Sequence, residues 1–413
     1  MTARGRAWLA AALLLLLPWI PGMQSDSSRS LLTQMAIAAV FALSYNLLLG
    51  QTGLLSFGHA VYFGLGGYAS IHFLRAINGG LPIPVPFVPL AGALAGLSFG
   101  MVFGALTTRR GGTVFALISL GLGEWVHASS LMLPSFFGGE EGVTASRTKG
   151  PHLDGLDMAS QLQVYYVTAA WLLISAALMY AFMRTPVGRL ANAVRDNPER
   201  VEFIGYNPQR VRFIVFSVSA MFAGLAGGLH AINYEIVAAE SLSAARSGAV
   251  LLMVYIGGVD HFLGAVLGAV AITWLQVSLS DYTTAWLLYL GLLFMGVVAF
   301  VPGGLAGLAM MHLKVLRTPA MRAIARSYLV ALPFAILASA GLVTLIEIVY
   351  RRATQPEAGA LMKLFWIPMD TAKPWPWIGA AGAAGIGAFA LARAWPRIAA
   401  AWAEAGEETH ARA

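Results

Sequence analysis

The run from Leu31 to Arg75 reads LLTQMAIAAVFALSYNLLLGQTGLLSFGHAVYFGLGGYASIHFLR. Its first part, 31–49, is an unbroken apolar stretch of the length that a bilayer core demands, roughly 20 residues. The apolar residues are continuous rather than alternating, so a helix, not a barrel strand, satisfies the backbone in lipid. The second part, 53–75, is equally apolar but rich in glycine, and reads as a broken span. No Asp, Glu, Lys or Arg falls between Leu31 and Leu74. Together these segments predict an all-α protein, a polytopic transmembrane helix bundle. Comparable runs near 7–23, 88–107, 113–133, 163–183, 212–233, 246–258, 262–279, 284–301, 327–349 and 376–393 bring the expectation to about ten core spans plus two C-terminal ones. The 246–258 run is short and reads as a half-helix.

Composition agrees. Of 413 residues, 58% are hydrophobic and 11% charged, against roughly 25% charged in an average soluble domain; the mean hydropathy is +0.72. There is no cysteine, so disulfides, thiolate nucleophiles and cysteine metal sites are excluded. The net charge of +7 reports topology. With the N-terminus inside, strict alternation places seventeen of the 26 Lys and Arg residues on the cytoplasmic side, and the reverse orientation inverts that bias. The chain is expected N-in and C-in, with no nucleic-acid partner. Residues 7–20 follow Arg4 and Arg6 like a signal-peptide core, but no small-x-small cleavage site follows in 16–26, so this segment is expected to remain as a first helix.

Catalytic patterns are missing. There is no G-x-x-x-x-G-K-[ST], and none of Lys149, Lys314, Lys363 and Lys373 follows a glycine-rich loop, which excludes P-loop hydrolysis by this chain. H-E-x-x-H is absent, and no metal-ligand cluster or catalytic residue is expected. The nominal nucleophile elbow Gly96-Leu97-Ser98-Phe99-Gly100 lies inside an apolar helix instead of a strand–turn–helix. There Gly92, Gly96, Gly100 and Gly104 recur every four residues, a face that lets another helix approach closely. Ala220/Gly224/Gly228 and Gly264/Gly268 are similar stripes. Ionisable groups at membrane depth are costly and so are candidates for function. They are Glu124 and His127, three apart and able to pair on one face, with His59, His230, Asp260 and His261.

The longest cytoplasmic connection between core spans is 184–212, RTPVGRLANAVRDNPERVEFIGYNPQRVR. Thr185-Pro186 is a helix start, Leu190, Val194, Val201 and Ile204 follow a helical period, Pro198 imposes a break, and Gly205-Tyr206 a stop. Two short amphipathic helices under the membrane follow from this, forming a docking surface for a cytoplasmic partner.

Gly50 to Tyr68, GQTGLLSFGHAVYFGLGGY, resembles the signature of branched-chain amino-acid-type ABC transporter permeases. Residues 110–120, 138–142, 188–205, 223–229 and 301–308 fit the same family in order, so the resemblance covers about 30–308 and is closest to the LivM-like subunit. It implies a permease in the bacterial inner membrane, working with a second homologous permease subunit, two cytoplasmic ABC ATPase subunits and a periplasmic substrate-binding protein. ATP is then used by the partners, and this chain carries no cofactor. It further implies that 184–212 is the EAA-type loop seated in a groove of the ATPase. Glu199 and Gly205 keep the E-x5-G spacing, while Arg200 and Val201 replace the two alanines. Gly188, Arg189, Arg195, Asp196, Asn197, Glu199, Arg200 and Gly205 are the candidate coupling residues, with Arg195, Asp196, Glu199 and Arg200 expected to make the polar contacts.

The chain departs from the family after 308, giving a permease domain over 1–312 and a C-terminal extension over 313–413. Within the core, Gly50–Gly67 and Gly257–Gly268 are paired glycine-rich interruptions, the mark of internal repeats with a site between them. They place a candidate translocation pathway at Asn46, Gln51, Ser56, His59 and Tyr62, opposite Asp260 and His261, with Glu124 and His127 as further candidates. The expected substrate is a small, branched-chain amino acid or a related amide or carboxylate. The rival is a stand-alone ion-coupled secondary transporter, which would need a relay of intramembrane carboxylates that only Glu124 and Asp260 could supply.

Overall fold

The computed structural model describes residues 14–151, 157–301, 303–316, 320–354, 359–364 and 367–411. Residues 7–13 of the expected 7–23 span, with Arg4, Arg6 and Arg317, lie outside these residues. The chain is α-helical apart from two short antiparallel strand pairs. Among the described residues eight helices are long and apolar enough to cross a membrane, or nine if a bent pair counts as one span. This is fewer than the twelve runs read from sequence: the 7–23 run is described only from residue 14, and three others do not become straight helices over their whole length. The 53–75 run splits into a non-helical segment and a 19-residue helix, 246–258 gives only a 14-residue helix, and 284–301 breaks against 304–315 at 51°.

Two compact units result: residues 1–282 with 289–307, and residues 283–288 with 308–413. The first unit begins with α1 (Asp26–Thr52), α2 (Ala60–Asn78), α3 (Val88–Thr107), α4 (Gly112–Met132) and α5 (Gln161–Met183). The short α6 (Pro186–Asp196) and α7 (Pro198–Phe203) follow, then α8 (Pro208–Tyr234), α9 (Ala244–Gly257), α10 (Phe262–Tyr282) and α11 (Trp286–Phe300). α1 and α8 form its centre, with windows 83% and 72% buried, whereas α4, α5 and α10 are only one-third buried and keep apolar faces for lipid or another chain.

The glycine stripes do what their spacing predicts. A Cβ at Gly92, Gly96 or Gly224 would run into backbone of the facing helix, Gly92 and Gly96 against α8 and Gly224 against α3. Lower on the same seam Gly104 faces Phe216, and higher up Gly228 stands against Pro89. Gly66 on α2 meets Gly224 from another side, so three helices converge on one glycine. Gly264 and Gly268 likewise let α10 close on the end of α9.

At one end of this unit the connection Val143–Thr144 (β1) pairs with Ile236–Val237 (β2). Arg147 clasps the same end, donating to the carbonyls of Ile232 (3.4 Å) and Asn233 (3.0 Å) and to Gln161 (3.1 Å). The opposite end carries α6 and α7.

The second unit consists mainly of α13 (Ala320–Thr354) and α14 (Pro374–Ala411), which pack through Gly341 and Gly387 and are joined through a hairpin of β3 (Leu361–Leu364) and β4 (Ile367–Asp370). α12 (Gly304–Val315), which precedes α13 in the chain, carries His312 in its last turn, whose Nε2 lies 3.1 Å from the Tyr328 hydroxyl, which also accepts from Trp402 Nε1 at 3.0 Å.

Candidate coupling loop and translocation segment

The 184–212 connection folds as its residues dictate. Thr185 caps α6, its hydroxyl accepting from Gly188 N at 3.3 Å, with Pro186 at the first helical position. Asn197 caps α7, accepting from Arg200 N at 3.0 Å, and Asn207 caps α8 in the same way. Pro198 ends the first helix and starts the second. Gly205 turns the chain with φ +88, a left-handed conformation that favours glycine.

Of the expected coupling residues, Arg189, Asp196, Glu199, Arg200 and Gly205 are exposed, and Asn197 is partly exposed. Gly188 is buried, and a Cβ there would meet Met183 Cα at 2.6 Å. With Ala191, Val194 and Val201 it forms the inner face of the loop. Arg195 also faces the bundle. Its Nη1 donates to the Gly50 carbonyl at 2.6 Å and lies 3.6 Å from Asp260 Oδ1, while its stem covers Gly53. Arg195, though exposed like its neighbours, therefore also binds the loop to the bundle, a contact that the sequence did not show. The outward tip is apolar: Phe203 is 88% exposed, Ile204 67% and Tyr206 52%. Sequence reading placed Ile204 on the buried stripe and gave Phe203 no part, because a helical period cannot show that α7 stops after Phe203. Beside this tip a cleft of ≈ 580 Å³ sets Glu199 and Glu202 near Arg109 and Arg212.

Gly50 and Gly53 close α1, and from there the backbone runs non-helically to His59 before α2 begins. Irregular backbone is tolerated at membrane depth only where protein satisfies its polar groups. Here three helices do so. Tyr45 of α1 donates to the Ser56 carbonyl (3.0 Å), Ser119 of α4 accepts from Phe57 N (3.0 Å), and Ser247 of α9 accepts from Ala60 N (3.0 Å). His59 is fully buried. Its Nε2 lies 3.2 Å from Ser44 Oγ, its ring stacks on Phe41 at 5.7 Å, and Tyr45 and Tyr62 meet it edge-on.

The structure brings Ser56, His59 and Tyr62 together around Tyr45, and buries Asn46 and Gln51 on α1 as well. Asn46 Oδ1, Gln51 Oε1, Ser56 Oγ and His59 Nδ1 have no hydrogen-bond partner, and such atoms are rare in buried positions. The remaining candidates lie elsewhere. Asp260 is exposed at the coupling end, because Gly257-Gly258 and the following turn are the reversal between α9 and α10, not a bend at membrane depth. His261 follows it with Nδ1 buried and unpartnered. Glu124 points outward from α4, and it makes no ion pair or hydrogen bond with the partly buried His127. A turn of spacing allowed that pair; the outward rotation of Glu124 prevents it.

The family described as branched-chain amino acid transport system / permease component matches residues 28–301. The chain belongs to this family. It is 27% identical over 336 residues to the high-affinity branched-chain amino acid transport system permease protein LivM of Salmonella typhimurium, covering 76% of this chain and 77% of that one. The Escherichia coli LivM is equally similar over the same shares. The guanosine ABC transporter permease protein NupQ of Bacillus subtilis is 24% identical over 224 residues, 52% of this chain and 70% of NupQ. No solved structure matches the chain. This permease is thus a multi-pass protein of the bacterial inner membrane and a transport subunit of the ABC importer type. The matched stretch ends before α12, so the 308–413 part of the second unit lies outside the family region.

Proposed function

We propose that this permease is one half of a heterodimeric pore, joined to a homologous permease subunit, two ATPase subunits and a periplasmic binding protein, and that it moves a small apolar amino acid, branched-chain in type, by alternating access. The observation that carries the reading is the Arg195 tie. One guanidinium holds the α6–α7 loop to the Gly50 carbonyl and to Asp260. A displacement of the loop by ATPase closure therefore reaches the end of α1, the start of the irregular 53–59 segment and the α9–α10 reversal together. Transmission through such a contact suits a rigid short helix moving as a body. The exposed Phe203, Ile204 and Tyr206 supply the apolar anchors that a stable docking contact needs, and the charged residues around them orient it. Gly188, Arg189, Asp196, Asn197, Glu199, Arg200 and Gly205 shape that surface. Beyond the tie, the partnerless polar atoms of Asn46, Gln51, Ser56 and His59 support a pathway beside the irregular segment. The LivM relatives support the substrate class.

The test is uptake of labelled leucine into proteoliposomes containing the four-subunit complex, with binding protein outside and ATP inside. Uptake that needs both is expected. Uptake by this chain alone under a proton or sodium gradient would instead establish the ion-coupled rival, for which the described residues supply no carboxylate relay: Glu124 and Asp260 sit on different surfaces.

A further inference from the structure

α9 is too short to cross a bilayer. Its 14 residues span about 21 Å at 1.5 Å each, against a hydrocarbon core of about 30 Å. Its C-terminal end lies at the coupling face, where a Cβ on Gly50 would stand 3.0 Å from the Val259 carbonyl. Its N-terminus therefore begins at membrane depth, in the half away from the coupling loop. His230, which faces this N-terminus across Phe63, lies about 33 Å along α8 from Pro208, which places it in the half of the bundle away from the coupling loop.

Arg246 occupies the first turn of α9, where Ser243 caps the helix by accepting from its backbone N–H at 3.3 Å. The side chain is partly buried. Its guanidinium stands 4.7 Å from the centroid of the Phe63 ring, which His230 of α8 also meets at 5.4 Å. His230 in turn lies 4.5 Å from Tyr234. Glu240 acts on the guanidinium electrostatically but forms no ion pair with it. Arg246 makes no side-chain hydrogen bond among the described residues, and His230 Nδ1 is buried without a partner beside it. A guanidinium at this depth, balanced by an aromatic face and a distant carboxylate, is incompletely compensated.

We propose that Arg246 binds the carboxylate of the transported solute. Guanidinium meets carboxylate through two parallel charge-assisted hydrogen bonds. The half-helix N-terminus adds backbone N–H groups and a favourable dipole for the same negative group. The exposed ring of Tyr234 offers an apolar wall to the solute's side chain, while Phe63, buried beneath the guanidinium, holds Arg246 in place. The site lies on the outer half of the bundle, on the side from which the binding protein delivers. This assignment rests on the reading of the chain as an amino-acid importer, and names the group that recognises the acid.

The chain has no cysteine, so Arg246→Cys creates a single addressable thiol. In the reconstituted complex, with leucine as probe, Arg246→Cys and Arg246→Gln are expected to lower uptake about tenfold, the scale of a lost charge-assisted bond, while ATP hydrolysis and subunit assembly persist. Attaching an aminoethyl group through a methanethiosulfonate reagent should restore part of the uptake, whereas a sulfonatoethyl group should not. Arg246→Lys should retain more uptake than Arg246→Gln. Full uptake by Arg246→Gln, or equal effects of the cationic and anionic reagents, overturns the assignment. Failure of the unsubstituted complex to take up leucine is a different result, and it overturns the amino-acid reading itself.

Discussion

At the residue scale, Arg195 and His59 hold opposite ends of one mechanical connection. Arg195 joins the coupling loop to α1 by a 2.6 Å hydrogen bond and to the α9–α10 reversal by an ion pair. Arg195→Ala should therefore leave the ATPase bound and hydrolysing while uptake falls severalfold, a loss of coupling read as the ratio of solute moved to ATP consumed. An unchanged ratio would return Arg195 to a surface role. His59 is packed among Phe41, Tyr45 and Tyr62 with one nitrogen on Ser44. His59→Ala removes a buried ring and leaves a cavity, so uptake should drop while the ATPase still co-purifies; unchanged uptake would make His59 a space-filler. At this scale the sequence was partly legible. The glycine-rich signature drew attention to Gln51, Ser56, His59 and Tyr62, all of which the structure buries. Arg246 was passed over, and the surface positions of Asp260 and Glu124 were not foreseen, for one reason. Spacing along a helix does not reveal its rotation or depth, so an exposed Glu124 and a half-buried Arg246 look alike in a list of residues. Applying the rule that ionisable groups at membrane depth are functional candidates to Arg246, just inside the apolar 244–257 run, would have found it.

At the element scale the glycine stripes and the coupling loop were legible, because each depends on local chemistry. Four-residue glycine spacing states that another helix lies close, and the seam between α3 and α8 is that contact. Gly224 stands where α2, α3 and α8 converge, so Gly224→Val should force the helices apart at a cost of about 1–3 kcal/mol. Lower yield of folded protein and a lower midpoint in thermal unfolding in detergent are the expected readings; Gly121→Val on the open side of α4, where nothing stands within 4 Å of the added Cβ, is the control and should match the parent. Caps and prolines likewise mark α6 and α7 where Thr185, Pro186, Asn197 and Pro198 stand. Which face of the loop turns outward was not legible. Two charged residues, Glu199 and Arg200, do face solvent as a polar docking surface requires, but the structure adds the apolar tip and the tie from Arg195 to the bundle. Phe203→Asp should consequently weaken ATPase association about tenfold or more, since burial of a phenylalanine contributes about 1.5–3 kcal/mol. Co-purification of the ATPase through the tagged permease reads it directly.

At the scale of the whole molecule, the bundle follows from composition. With 58% hydrophobic residues and continuous apolar runs, the polar groups of the backbone are satisfied only within helices. Among the described residues fewer straight spans form than there are apolar runs, because glycine and turn chemistry interrupt the helix at 53–59 and 257–261, where the broken 53–75 run and the short 246–258 run already pointed. The second unit has its own helix pair and its own apolar clusters, and the family region ends before its 308–413 part. A chain ending after Leu308 should thus retain part of its ATP-dependent uptake when expressed with its partners; complete loss at normal membrane abundance would assign the unit a necessary role. The central claim is that ATPase closure enters this permease through the α6–α7 loop. It is tested most directly by cross-linking from Phe203→Cys in the otherwise cysteine-free chain, assembled with its partner subunits. A short bifunctional reagent should join this cysteine to the ATPase, with a yield that changes when ATP is added. If Phe203→Cys gives no adduct with the ATPase in a complex that transports, the loop is not the coupling site and the account is contradicted.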